Sequence, residues 1–361
     1  MQEIETENEK GKRLKKYSRD TLENLPPRRI TPRSIEIIDI VYRYRFVPTS
    51  IIVRLASGDM RTTERHLQNL YHQELINRWA FPSTFYPTEF NYYLDDKRAL
   101  ALLVNEKGYD TEKLDYETVR RNKEKRYSEI TMSREMIKMQ GRLMHLHHEL
   151  MISRFHYMLE RACLKSKGKV ELLGFYQGPT LWNTVEVSKV YYDPQGKFKE
   201  SEETETLPHR PDAFFALYFP DREGEERAQY FFYEADRKTA SIKKMQKKLR
   251  AHFHYVVKQK KHVGDYGVKR IRAVLIESIE NHWTNNLRTS ARHPAVSGSK
   301  PSPLFWFTTS DVIFEQPLKV RIKSVEKEIP SFLEKPELVF SKIWATPADG
   351  DEEISFQSLT D

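Results

Sequence analysis

Three carboxylates are spaced to do chemistry: Asp212 at the head of the apolar stretch His209–Phe219, and Glu234 and Asp236 at the end of a second stretch, Gln229–Thr239. Both stretches read as strands, joined by the acidic turn Pro220 to Arg227. Side chains alternate along a strand, so Glu234 and Asp236 should share a face. Acids gathered at one sheet end either bind a divalent cation or need basic partners. Basic partners follow at once. The pattern Ile242, Met245, Leu249, Phe253, Val256 predicts an amphipathic helix over Ser241–Lys260, with Lys243, Lys244, Lys247, Lys248 and Arg250 on its other face. From Arg237 to Lys261 there are ten lysines and arginines and no acid. Such one-sidedness suits a polyanion, with the cations holding a phosphate backbone and the carboxylates a metal. The competing reading is a solvated basic face beside acids that pair structurally.

Elements on either side would position these residues. A long helical pattern, Met132–Lys165, holds the cluster His145-Leu-His147-His148-Glu149, in which His145 and Glu149 stand at i and i+4. That spacing suits metal ligands, although a solvated histidine cluster is the default without a further ligand motif. The period changes to two from Val170, giving strands at Val170–Phe175 and Val185–Tyr192, then a turn at Asp193–Gly196 and a charged stretch. Beyond the basic helix come a strand Ile271–Ser278, a helix Asn281–Arg292 and a strand Leu304–Thr309. This order predicts a mixed sheet flanked by helices within residues 132–348.

The first part of the chain reads differently. Thr31-Pro32 is a capped helix start, and Ile35, Ile38, Tyr42 and Phe46 share a face. A second helix is expected at Ile51–Ala56, a turn at Ser57-Gly58-Asp59 and a third helix at Thr62–Gln73. Short strands at Leu75–Trp79 and Phe90–Leu94 enclose a loop with Pro82 and Pro87, and Asp95-Asp96 can cap a helix from Lys97 to Val104. Residues 31–108 thus read as a winged helix-turn-helix. Its third helix would offer Arg61, Thr62, Arg65, Gln68 and Asn69 to the major groove of double-stranded DNA. The same face in a small helical domain could instead dock on protein, and winged helices also form homodimers. The fold class expected for the whole chain is α+β.

Composition sets outer bounds. The 361 residues carry 60 lysines and arginines against 52 acids, a net charge of +8, and 39% hydrophobic residues, enough for more than one core. Cys163 is the only cysteine, which excludes an intramolecular disulfide framework. The opening residues lack the apolar core of a leader, and no run approaches the roughly 18 apolar residues of a membrane helix. A soluble cytoplasmic protein without a membrane partner is expected. Residues 1–30 and 349–361 are expected to be disordered, the first charged and the second acidic, with 109–131 a charged linker or solvated helix.

Two sets of motifs together resemble the bacterial replication-relaxation family of plasmids and mobile elements. The first is Thr31–Ile38, Tyr42–Phe46, Arg65–Tyr71 and Leu75–Arg78; the second is Arg210–Ala213, Tyr233–Thr239, Val274–Arg288 and Phe305–Thr308. The resemblance implies DNA binding in replication, relaxation or transfer of such an element, beside its other replication or transfer proteins. The second half is also similar to the PD-(D/E)xK nuclease core. Pro211-Asp212 and Glu234 match its acids, whereas Asp236 stands where a lysine is expected, so that Lys238, Lys243 or Lys244 would have to substitute and Glu149 would match a helix acid. Mg2+ or Mn2+ would then be the cofactor. The alternative is a catalytically inactive protein that binds DNA or recruits partners, with Asp236 and Arg237 paired structurally.

Overall fold

The computed structural model describes residues 29–80, 89–125, 136–195, 197–310, 318–322, 325–329, 331–347 and 355–361. The chain divides into two units, Met1–Leu146 and His147–Asp361.

In the first unit, the Thr31 hydroxyl caps helix α1 (Pro32–Tyr44) by accepting from the Ser34 amide at 3.2 Å, with Pro32 at the position where a missing N–H costs nothing. Strand β1 (Val47–Pro48) leads into α2 (Thr49–Leu55), and the Asp59 carboxylate caps α3 (Met60–His72) from the Thr62 amide at 2.9 Å. Ile37, Ile38, Val41, Ile51, Ile52, Leu67 and Leu70 close a core among these helices. Strands β2 (Asn77–Ala80) and β3 (Phe90–Tyr93) pair antiparallel, and β1 joins the other side of β3. The proline-containing loop between β2 and β3 lies outside the described residues. Asp96 caps α4 (Lys97–Lys107) as expected, and the segment expected as a charged linker or solvated helix contains α5 (Tyr116–Lys125).

The second unit is built on a seven-stranded mixed sheet whose strands lie in the order Phe356–Gln357, Trp344–Ala345, Phe305–Thr309, Ala273–Ser278, Ala228–Asp236, Ala213–Tyr218 and Glu171–Gln177. Helix α6 (Met136–Lys165), within which the division of the chain falls, precedes β4 (Glu171–Gln177). The next two strands, β5 (Asn183–Tyr192) and β6 (Phe198–His209), form a separate antiparallel pair. The charged stretch after Asp193 is therefore a strand, and His209 ends it rather than opening the next. Arg210-Pro211-Asp212 breaks the chain because proline supplies no ladder donor. Strands β7 (Ala213–Tyr218) and β8 (Ala228–Asp236) then pair antiparallel, β4 pairs antiparallel with β7, and β9 (Ala273–Ser278) and β10 (Phe305–Thr309) run parallel to β8. Crossovers carry α7 (Ile242–Phe253), α8 (Lys261–Tyr266) and α9 (Asn281–Ala291). Strands β11 (Leu318–Ile322) and β12 (Val325–Ile329) form a hairpin.

Both sheet faces are covered, which explains why β7, β9 and β10 read as continuous apolar runs. One face packs Phe232, Val274, Ile276, Phe305 and Phe307 against Met245 and Leu249 of α7 and Leu287 of α9. On the other, Phe155 of α6 stacks on Tyr233 at 4.0 Å between centroids and meets Phe215 and Trp344 edge-on. A buried carboxylate, Glu277, lies on that face and is satisfied by Arg154, by the Tyr233 hydroxyl at 2.7 Å and by the Ser310 hydroxyl at 2.9 Å.

The far edge corrects one expectation. Residues 355–361 are not a disordered tail: β14 (Phe356–Gln357) pairs with β13 (Trp344–Ala345), Leu359 is fully buried, and Arg222 donates to the carbonyl of Thr360 at 2.6 Å. Among the described residues no helix is long and apolar enough to cross a membrane. Leu359→Ala should lower unfolding stability by roughly 2–4 kcal/mol through the cavity it leaves, measured by urea denaturation of the full chain; an unchanged midpoint would mean that the end of the chain contributes nothing to the fold.

Candidate acid and lysine site in the second unit

The register of two strands brings the acids together. Ala213 pairs with Tyr233, and the Asp212 amide donates to the Tyr233 carbonyl at 3.1 Å, so one further step sets Asp212 across from Glu234 on the same face. The Asp212 carboxylate is fixed by the Ala235 amide at 2.9 Å.

The basic partner is Lys248 of α7. Its ammonium forms an ion pair with Glu234 and lies 3.9 Å from the Asp212 carboxylate, so one cation serves both acids. Sequence reasoning placed Lys248 among the phosphate contacts and sought the substitute lysine at Lys238, Lys243 or Lys244. Lys238 instead pairs with Glu280 at 2.9 Å, and Lys243 and Lys244 point to solvent on the first turn of α7. The usable signal was helical spacing. Lys248 and His252 stand at i and i+4, one turn apart on the face that also buries Met245 and Leu249, so both reach the sheet.

Histidines complete the surroundings. His148 of α6 meets Asp212 at 3.1 Å and lies 3.7 Å from Glu149, which therefore stands one residue behind the acids. The His145 side chain lies outside the described residues. His252 contacts the other oxygen of Glu234 at 2.6 Å, and His209 contacts His252 at 3.0 Å while stacking on Tyr255 at 3.8 Å. Asp236 is turned away from this group: it accepts from the Trp283 indole and from the Lys238 amide at 3.3 Å. Its structural partner is thus Trp283, not Arg237.

The remaining basic residues of α7 serve a different purpose. Arg250 is buried, donates to the Ser188 carbonyl and pairs with Glu205 at 3.4 Å; Lys247 reaches the same carboxylate at 2.8 Å. These contacts pin the β5–β6 pair to α7. Arg250 is therefore not available to a phosphate, because a side chain 3% exposed cannot reach one without breaking that anchor. In the first unit, Arg61 and Arg65 are exposed on α3, with Thr62, Gln68 and Asn69 partly exposed beside them.

Electrostatics separates the two acids. Burial pushes the Asp212 carboxyl up, but Lys248 and His148 overcome it and hold the group well below the usual carboxylate range. Burial raises Glu234 well above that range, the Lys248 ammonium opposes the rise, and the neighbouring Asp212 charge adds to it. Two carboxylates facing one another cannot both ionise freely. Burial, then His209 and Lys248, keep the His252 imidazole neutral. His148 behaves oppositely: burial lowers it, yet Asp212 and Glu149 raise it to about 10.

Two carboxylates on one cation are chemically a seat for a hard divalent ion, since Mg2+ commonly uses one or two carboxylates and takes its other ligands from water and substrate. The buried Oε2 of Glu234, which meets the Lys248 ammonium, could serve that use. Among the described residues no group of three or more histidines, cysteines and acids is arranged to hold a metal by itself.

The His148 pair makes a pH prediction. The imidazolium has a folded pKa of about 10 against an ordinary 6.5, so its contribution to stability is complete below about 6.5 and is lost as pH climbs towards 10. Thermal unfolding scans from pH 6 to 10 should therefore show an alkaline decline in the wild type that is shallower in His148→Gln; parallel curves would exclude the charged pair.

The model of one family, described as replication-relaxation, matches residues 39–269, a span that includes α3, the three acids and all of α7. No curated protein and no solved structure matches the chain. The family description points to a role in replication or relaxation. The matched span is well over half the sequence, and the chain belongs to the replication-relaxation family.

Proposed function

We propose that this chain is a DNA-binding protein of a plasmid or other mobile element, with a PD-(D/E)xK-like site that nicks DNA during replication, relaxation or transfer. The observation that carries the reading is the Lys248 ammonium between Asp212 and Glu234. Such a site needs two acids and a lysine at one point, and here the lysine comes from the facing helix rather than from the position of Asp236. The family's stated role and the basic balance of the chain support the choice of DNA as ligand.

In the first unit, the order helix, helix, tight turn, helix and antiparallel hairpin is what a winged helix-turn-helix requires, with α3 as the helix for the major groove. Arg61 and Arg65 are its exposed cations. In the second unit Asp212 and Glu234 would hold Mg2+ or Mn2+, which supplies Lewis-acid stabilisation of the charge that develops on a phosphodiester. The chain's own residues do the rest. With a metal on the carboxylates, Lys248 would be free to reach the phosphate and orient the scissile group. His148 and the Ala235 amide fix Asp212, while His252, set by His209, fixes Glu234. The inactive alternative, a binding or recruiting protein, keeps the ion pairs permanently and uses them as structure.

Two experiments test the proposal. With supercoiled plasmid and Mn2+ or Mg2+, the wild type should nick, and Asp212→Asn, Glu234→Gln or Lys248→Ala should each reduce the rate about 100-fold or more. Asp236→Asn should matter far less than these. Nicking that survives unchanged in the Asp212 and Glu234 variants sinks the site assignment; a wild type that binds but never nicks leaves the recruiting role. In fluorescence anisotropy on duplex DNA, Arg61→Ala and Arg65→Ala should each weaken binding by roughly 5- to 100-fold if they reach bases, and affinity should fall steeply with salt. Salt-independent binding, or none, would remove the DNA reading.

A further inference from the structure

The sheet face that carries the acids continues into a cavity that the nicking reading does not use. On this face the residues stand in rows: Asp212 and Glu234, then Tyr176, Phe214 and Phe232, then Gly174, Ala216 and Tyr230. Tyr176 and Phe214 of the second row and all of the third line an open cavity of ≈ 480 Å³, with Thr180, Asp265 and Tyr266 at its side. It begins about 7 Å along the strands from the acids, two residues at 3.3 Å each.

Its walls are aromatic and mutually aligned. Phe214 lies nearly parallel to Tyr266 at 4.8 Å and to Tyr230 at 6.1 Å, and Tyr176 stacks at 6.4 Å. Tyr176 is 57% exposed although it sits in a strand. Its ring folds over Gly174, where an added Cβ would come within 2.7 Å, so the glycine is what lets the ring lie there. One carboxylate lines this site. Asp265 is held through a single oxygen by Asn183 at 2.5 Å and Tyr255 at 2.6 Å, while among the described residues its Oδ1 accepts no hydrogen bond. Exposed Lys258 and Lys260 lead into α8, the element bearing Asp265 and Tyr266, and Lys269 and Arg270, paired with Glu225 and Glu226, lead out of it.

We infer that this cavity takes one unpaired nucleobase, so that the second unit engages single-stranded or locally opened DNA with a base stacked among Tyr176, Phe214 and Tyr266. The inference rests on the DNA reading above and deepens it by naming the substrate form. Planar rings with a carboxylate oxygen beside them suit a flat heterocycle that carries an N–H donor: stacking is available to any base, and an exocyclic amine or a ring N–H can donate to Asp265 Oδ1. Nearby lysines suit the attached backbone. A base held two residues along the strands from Asp212 and Glu234 would put a neighbouring phosphate within reach of them. A duplex cannot use such a cavity without releasing a base.

The test uses the full chain in EDTA with fluorescein-labelled 12-mers of dC, of dT and a duplex, and a single strand carrying 2-aminopurine. Tyr176→Ala removes a ring and Thr180→Trp fills the cavity; both positions are exposed, so neither change threatens folding. Wild type should bind both single strands and quench 2-aminopurine. Each variant should lose about ten-fold or more in single-strand affinity while duplex affinity holds. Single-strand affinity unchanged in both variants, an equal loss on duplex and single strand, or duplex binding with no single-strand binding would each overturn the inference and leave the parent reading standing. Failure to bind either form would overturn both.

Discussion

The antiparallel register of β7 on β8 is the constraint on which the candidate site depends. It sets Asp212 opposite Glu234, and the burial of the strands on both faces makes a slip by one residue prohibitive, because every apolar side chain would change sides. The acids are thus held together by the aromatic core rather than by each other. Phe155 against Tyr233 and Phe232 against α7 fix β8 from both sides. What the acids then require is a cation, since two carboxylates this close and this buried repel. Lys248 meets that requirement, and the geometry of α7 follows from it.

Most of the fold was legible in the sequence, because the signals were local. Thr31-Pro32 and Asp96 behave as caps, and the period-two and helical patterns locate most of the strands and helices of the mixed sheet. The failures share one physical origin. Strand β6 is mostly polar, with five charged residues in its first eight, because it sits in a two-stranded pair with little to bury, so periodicity gave no warning of it. The final strand is two residues long and is held by Leu359 and Arg222, contacts that no local pattern announces.

The site was legible in its acids and not in its bases. Asp212 and Glu234 declare themselves because each ends an apolar strand. The lysine does not, since five basic residues on one helix look alike until a partner surface sorts them. Glu205 sorts Lys247 and Arg250, the carboxylate pair sorts Lys248, and solvent takes Lys243 and Lys244. His148, His209 and His252 were similarly hidden, each belonging to a different element and meeting only through the folded sheet.

The Lys248 and His148 contacts also decide how the site looks from a distance. Two carboxylates alone would present a negative field that rejects a polyanion before any contact forms. Here one ammonium and one imidazolium stand against the ionised Asp212 and Glu149, beside a Glu234 that resists ionisation, so the local charges nearly balance. Asp212 and Glu234 thus carry their own counterions within the fold.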